Sequence, residues 1–94
     1  MKEIIIDNMS YELIKDVRDG FNIEQVKSKL TDYFIPFDYI VGDWAYGKLR
    51  LKGFYDENSK QCKDLNNIKK VDEYLKNNCA YNCKYFILKK SIQK

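Results

Sequence analysis

Two glycines bracket an acid and two aromatics in Gly42-Asp43-Trp44-Ala45-Tyr46-Gly47. At a hairpin tip such a segment offers a carboxylate acceptor, stacking rings and backbone that a ligand can approach closely. The same residues also have a structural use: Asp43 can accept from turn amides, and Trp44 can anchor a sheet to a helix. Directly after them comes Lys48-Leu49-Arg50-Leu51-Lys52-Gly53-Phe54. In a strand the three cations share one face at intervals of ~7 Å, using ~3.3 Å per residue. That resembles the phosphate spacing of a single nucleic-acid strand, and Phe54 extends the face as a base-stacking ring. The competing reading is a solvated strand face whose cations prevent edge-on aggregation. Lys52-Gly53-Phe54 also matches the start of an RNA-binding strand motif, but Tyr55 and Asp56 depart from it at once. Arg50 is one of 2 arginines among 17 basic residues. A guanidinium suits bidentate contact with a carboxylate or phosphate.

The cysteines, Cys62, Cys79 and Cys83, are odd in number, which does not indicate a disulfide framework. They are weak metal candidates, because a zinc site takes about four ligands and the chain has 0 His. A redox pair is one use for Cys79 and Cys83, with Lys76 and Lys84 lowering a thiol pKa; small buried apolar residues are the other. Without His the chain lacks the usual base near neutral pH and the Ser-His and Cys-His nucleophile pairs. No phosphate loop or dinucleotide fingerprint occurs, and no cofactor is implied. The acid pairs Asp56/Glu57 and Asp72/Glu73 fall in a polar loop and on a helix exterior, where nothing raises a carboxyl pKa. We therefore expect a non-enzymatic protein.

These residues must be carried by 94 residues with a formal charge of +3, 45% hydrophobic and 15% aromatic. That supports one domain over 1–94, with a frayed tail at 91–94. No apolar run approaches the roughly 18 residues that span a bilayer, and the start is too short for a signal peptide. A cytoplasmic location without membrane contact is the expectation. The charge is uneven: residues 1–47 hold 5 basic and 9 acidic side chains, residues 48–94 hold 12 and 5. The basic half can mark an anionic partner. It can equally reflect lysine as the default solvated surface residue.

Periodicity places the elements. Residues 3–6 are β-branched, and 10–17 alternate with Tyr11, Leu13 and Val17 on one face, so the two predict a hairpin. Asn22 with Gln25 is a capping pattern. Ile23, Val26, Leu30 and Tyr33/Phe34 then predict a helix over 23–34, ended by Pro36 with Ile35 extended. Strands follow at 38–44 and 48–55, joined by a turn in which Gly47 takes positive φ. After a loop over 56–65, Asn66 or Asn67 caps a helix running to about 77, with Ile68, Val71 and Leu75 on one face. Residues 84–90 form the last strand. The result is an α+β domain of order β-β-α-β-β-α-β: an antiparallel-rich sheet of about five strands with two helices. Without its first strand this is the ferredoxin-like order. In that fold, however, residues 10–17 already have a neighbour on each side, which conflicts with the hairpin.

The stretch Phe37 to Phe54, read in full as FDYIVGDWAYGKLRLKGF, resembles the signature of the YutD-like family, small bacterial proteins of unknown function. Cys79-Ala80-Tyr81-Asn82-Cys83 entering the apolar strand Tyr85-Phe86-Ile87-Leu88 is similar to the family's C-terminal pattern. Tyr11-Glu12-Leu13 and Arg18-Asp19-Gly20-Phe21-Asn22 add to the likeness, which covers most of the chain. The resemblance implies no chemistry. The residues themselves suggest a binding module that engages RNA or another polyanion through Lys48, Arg50, Lys52 and Phe54, with the tip at Asp43–Tyr46. The alternative is a protein–protein adaptor using the Asp43–Tyr46 tip and Arg50, since Trp44, Tyr46 and Arg50 are residue types enriched at interface hot spots.

Overall fold

The computed structural model describes residues 2–6, 9–45, 47–63, 66–78 and 84–91. Its strands are β1 (Lys2–Ile6), β2 (Met9–Val17), β3 (Tyr39–Ala45), β4 (Lys48–Phe54) and β5 (Tyr85–Lys90). The helices are α1 (Ile23–Lys29) and α2 (Val71–Asn78). All five strands form one antiparallel sheet in the order β1-β2-β5-β3-β4. This is the α+β domain that the periodicity predicts. It is not the ferredoxin-like arrangement. The last strand enters between β2 and β3 rather than at an edge. β2 therefore keeps its other side for β1, and the conflict over the hairpin disappears.

The helices cover opposite faces. Val26 of α1 and Phe34 join Ile4, Ile6, Ile40 and Phe86 in the larger core. Leu75 of α2 joins Val41, Phe54 and Ile87 in the smaller one, with Ile68, Val71 and Tyr74 packed alongside. A sheet apolar on both faces needs two covers, and alternate residues of β3 serve both: Ile40 goes to one core and Val41 to the other. Gly42 makes this close packing possible. A Cβ built there would lie 2.2 Å from Cζ of Phe86, a ring with no solvent exposure.

Three local readings change. The alternation of 10–17 breaks between Leu13 and Lys15, where the register shifts by one residue. Ile14 is the extra residue of this β-bulge, so Lys15 stands opposite Ile87 and Val17 opposite Tyr85 on the α2 face. Val17 thus does not share a face with Tyr11 and Leu13. The helix predicted over 23–34 is two pieces. Leu30 and Thr31 are extended, and Asp32–Phe34 form a separate 3-10 turn. β-Branched Thr31 is a weak helix former, and Pro36 cannot continue the helix. Ile35 is helical rather than extended, because its N–H closes the turn onto the Asp32 carbonyl at 3.1 Å. Phe34 is therefore buried while Tyr33 is 69% exposed.

The remaining signals match. Asn22 Oδ1 accepts from the Gln25 amide at 3.2 Å, and Asn67 Oδ1 accepts from the Lys69 amide at 2.9 Å. The Asn67 bond opens a 3-10 turn at Ile68–Lys70 that runs into α2. Gly47 has φ 74, the left-handed value expected of the β3–β4 turn.

Candidate functional site

Segments far apart in sequence meet at one end of the sheet: the turn after β2, the end of β3, the start of β4 and the entry to β5. Asp43 stands between Arg50 of β4 and Tyr85 of β5 on the α2 face. Its carboxylate has no solvent exposure, so burial must be offset by a partner. Arg50 supplies one: Nη2 donates to Asp43 Oδ2 at 2.6 Å, with the Arg50 side chain 45% exposed. Asp43 Oδ1 has no hydrogen-bond partner among the described residues. The expected bond from Asp43 to turn amides is replaced by this ion pair, because strand alternation turns the side chain toward α2.

One residue on, Trp44 points to the α1 face. Its Nε1 donates to the Gly20 carbonyl at 2.7 Å, and Lys84 Nζ lies over the ring at 6.0 Å from its centroid. The indole thus fastens the hairpin to the turn after β2, where Arg18 and Asp19 take φ 58 and φ 57. Two successive non-glycine residues in this region are held only by surroundings that over-determine them. Trp44 is thus hydrogen-bonded to a loop while its ring packs against the core that α1 covers.

The basic stripe is real but not an open face. Lys48, Arg50 and Lys52 do share one side of β4, while Leu49 and Leu51 turn to the α1 core. Arg50 pairs with Asp43. Lys52 Nζ lies 5.6 Å from the Phe54 ring centroid and 5.5 Å from that of Tyr74. Phe54 itself is fully buried, with Tyr74 edge-on at 5.6 Å, so it is a core ring and not a stacking platform. Hydrophobic alternation identifies the face of Phe54 but not its cover, which comes from α2 some twenty residues later. Lys84 reaches the same sheet end from the opposite face, over Trp44. Lys15, brought round by the bulge, lies 5.4 Å from the Tyr85 ring centroid on the α2 face. Neither Tyr74 nor Lys15 stood out in the sequence, because each acquires its place through a helix or a bulge.

Tyr46, Cys79 and Cys83 lie outside the described residues. Cys62 is partly buried. Among the described residues no group of three or more His, Cys, Asp or Glu is placed to hold a metal. No helix among them is long and apolar enough to cross a membrane.

Burial raises the Tyr74 phenol above its ordinary 10.0; the nearby Asp43 charge adds to this and Arg50 opposes it. Burial raises Tyr11 as well. The fold favours both protonated phenols, so their contribution is complete below the unfolded value and is lost as pH rises through the folded one. We expect the urea midpoint to fall as pH rises above about 10, with a smaller fall in Tyr74→Phe. An equal fall in the variant would count against Tyr74 as a source.

The architecture defines a class: a small α+β domain whose five-stranded antiparallel sheet is covered by one helix on each face, with charged and aromatic side chains fixed at one sheet end. Residues 5–89 match the family described as "YutD-like: Putative antitoxin YutD-like", and the chain belongs to that family. It is 44% identical over 87 residues to "Putative antitoxin YutD" of Bacillus subtilis (strain 168), covering 93% of this chain and 96% of the relative. Its fold matches the solution NMR structure of protein yutD from B. subtilis with a TM-score of 0.83 at 41% identity, covering 99% of this chain and 84% of that one.

Proposed function

We propose that the chain is a non-enzymatic module that acts by binding a protein partner, an antitoxin in the sense of its relative's name. The sheet end at Arg18–Gly20, Asp43–Trp44 and Lys48–Arg50 is the contact surface. The observation that carries this reading is the fixing of two hot-spot residue types at one sheet end, Trp44 on its α1 face and Arg50 on its α2 face. Arg50 is held by Asp43 at 2.6 Å and Trp44 by Gly20 at 2.7 Å, both still partly exposed. Side chains ordered before association lose less entropy on binding, and Arg and Trp are enriched where binding energy concentrates. Exposed Lys48 and Lys84 flank them, which suits an acidic rim on the partner.

The polyanion reading keeps Lys48, Arg50 and Lys52 but loses Phe54 as a ring for bases. One experiment separates the two. The tagged chain is used to capture partners from nuclease-treated extract, beside a Lys48→Glu/Lys84→Glu variant. Both substituted positions are exposed, so the variant should fold. The expected result is one stoichiometric protein, retained after nuclease and lost in the variant. Its toxicity on separate expression should be relieved by co-expressing this chain. Capture that vanishes with nuclease and falls steeply with salt would select the polyanion instead.

A further inference from the structure

The two edges of the sheet are unlike. β4, one edge strand, carries Lys48, Arg50 and Lys52 on its α2 face, charges of the kind that discourage strand addition. Just beyond it the edge is closed: the Tyr55 amide donates to the Asn66 carbonyl at 2.7 Å, and the Ile68 amide donates to the Tyr55 carbonyl at 2.9 Å. β1, the other edge, is Lys-Glu-Ile-Ile-Ile, without proline or bulge, and among the described residues no strand lies outside it. Ile4 and Ile6 are buried in the α1 core, whereas Ile5 is 60% exposed on the opposite face.

Charge says what would cover this edge. On the face of Ile5, Glu3 stands directly opposite Glu12, and Glu12 has Lys89 of β5 opposite it on its other side. Like charges across a strand pair are unfavourable; Lys89 offsets Glu12 from within the sheet, and a cation on a further strand would offset Glu3, the outermost acid. A second copy paired through β1 would bring another Glu3 and Glu12 to the same face and worsen the repulsion. The complementary neighbour is a basic strand.

We propose that the outer edge of β1 is a strand-addition site for an extended basic segment of a partner protein. A Lys or Arg of that segment faces Glu3 and Glu12, and an apolar side chain two positions away covers Ile5. Main-chain hydrogen bonds to β1 supply the affinity and the alternate side chains supply the selectivity. This surface is separate from the sheet end at Asp43–Arg50 and does not depend on that end being used.

The test titrates the isotope-labelled full chain with the blocked peptide Thr-Lys-Val-Val-Val-Lys-Thr, whose pattern is the same in either direction. Its control has Glu at both Lys positions. At roughly millimolar peptide the basic version should shift and slow the exchange of β1 amides. The acidic version should bind about tenfold more weakly, and Ile5→Lys should abolish the effect. The effect should persist in the Lys48→Glu/Lys84→Glu variant, which separates its failure from failure of the sheet-end reading. The proposal is overturned by no change at β1, by equal binding of the two peptides, or by β1 protection that grows with protein concentration alone, which would identify a second copy as the occupant.

Discussion

Gly42→Ala should lower the stability of the domain by about 3 kcal/mol, the upper part of the range for overpacking a core. The added Cβ would lie 2.2 Å from Phe86 Cζ and 2.3 Å from its Cε2. Phe86 cannot yield. It is fully buried, stands edge-on to Phe21 at 5.2 Å, and belongs to β5, which pairs with both β2 and β3. Moving it disturbs the middle of the sheet. Gly53→Ala is the informative comparison. Its Cβ would also come within 2.2 Å of a ring, but that ring is Phe37, which is only partly buried and can tilt outward. Thermal melts should show a fall of roughly 10–20 °C for Gly42→Ala and a clearly smaller one for Gly53→Ala. Equal falls would mean that the Phe86 site is no more rigid than the surface.

The second large effect concerns the ion pair. Arg50→Ala should cost about 2 kcal/mol, below the 3–5 kcal/mol typical of breaking a fully buried pair because Arg50 is itself half in water. The two partners are unequal: the Asp43 side chain is 1% exposed and that of Arg50 is 45% exposed. Removing the arginine strands a buried carboxylate whose Oδ1 already lacks a partner among the described residues. Removing the charge from Asp43 leaves a guanidinium that water can solvate. Arg50→Ala should therefore be the more damaging single change, and Asp43→Asn should recover part of the loss when combined with it. Urea unfolding of the two single variants and the double variant measures this coupling. Simple additivity, or a larger loss in Asp43→Asn, would show that the pair is not what offsets burial of the acid.

The site residues inferred from the sequence gather in the fold only in part. Asp43, Trp44, Lys48 and Arg50 do come together at one sheet end. Lys52 is drawn toward Tyr74, and Phe54 is removed from any surface by α2. Lys84 joins by crossing to Trp44 on the other face. Part of the charge imbalance between chain halves lies on the two outer pairs of strands. Glu3 and Glu12 lie at the β1 side, and Lys48, Arg50 and Lys52 at the β4 side.

What the sequence by itself determined was local. The Leu49/Leu51 alternation, the caps at Asn22 and Asn67, the positive φ of Gly47 and the family signature are all legible there. Each depends on residues within a turn or a strand of one another. Placement beyond that range was decided only in three dimensions. Nothing near residues 85–90 says that this strand will pass between β2 and β3, since an antiparallel strand can pair wherever an edge is open. Nothing near Ile14 announces the bulge, which answers to the register of β5. Burial of Asp43 and Phe54 likewise required α2 to close over β3 and β4. For the same reason the residues most able to do chemistry in the sequence proved to be held by partners distant in the chain: Asp43 by the geometry of three strands, and Trp44 by a carbonyl 24 residues away.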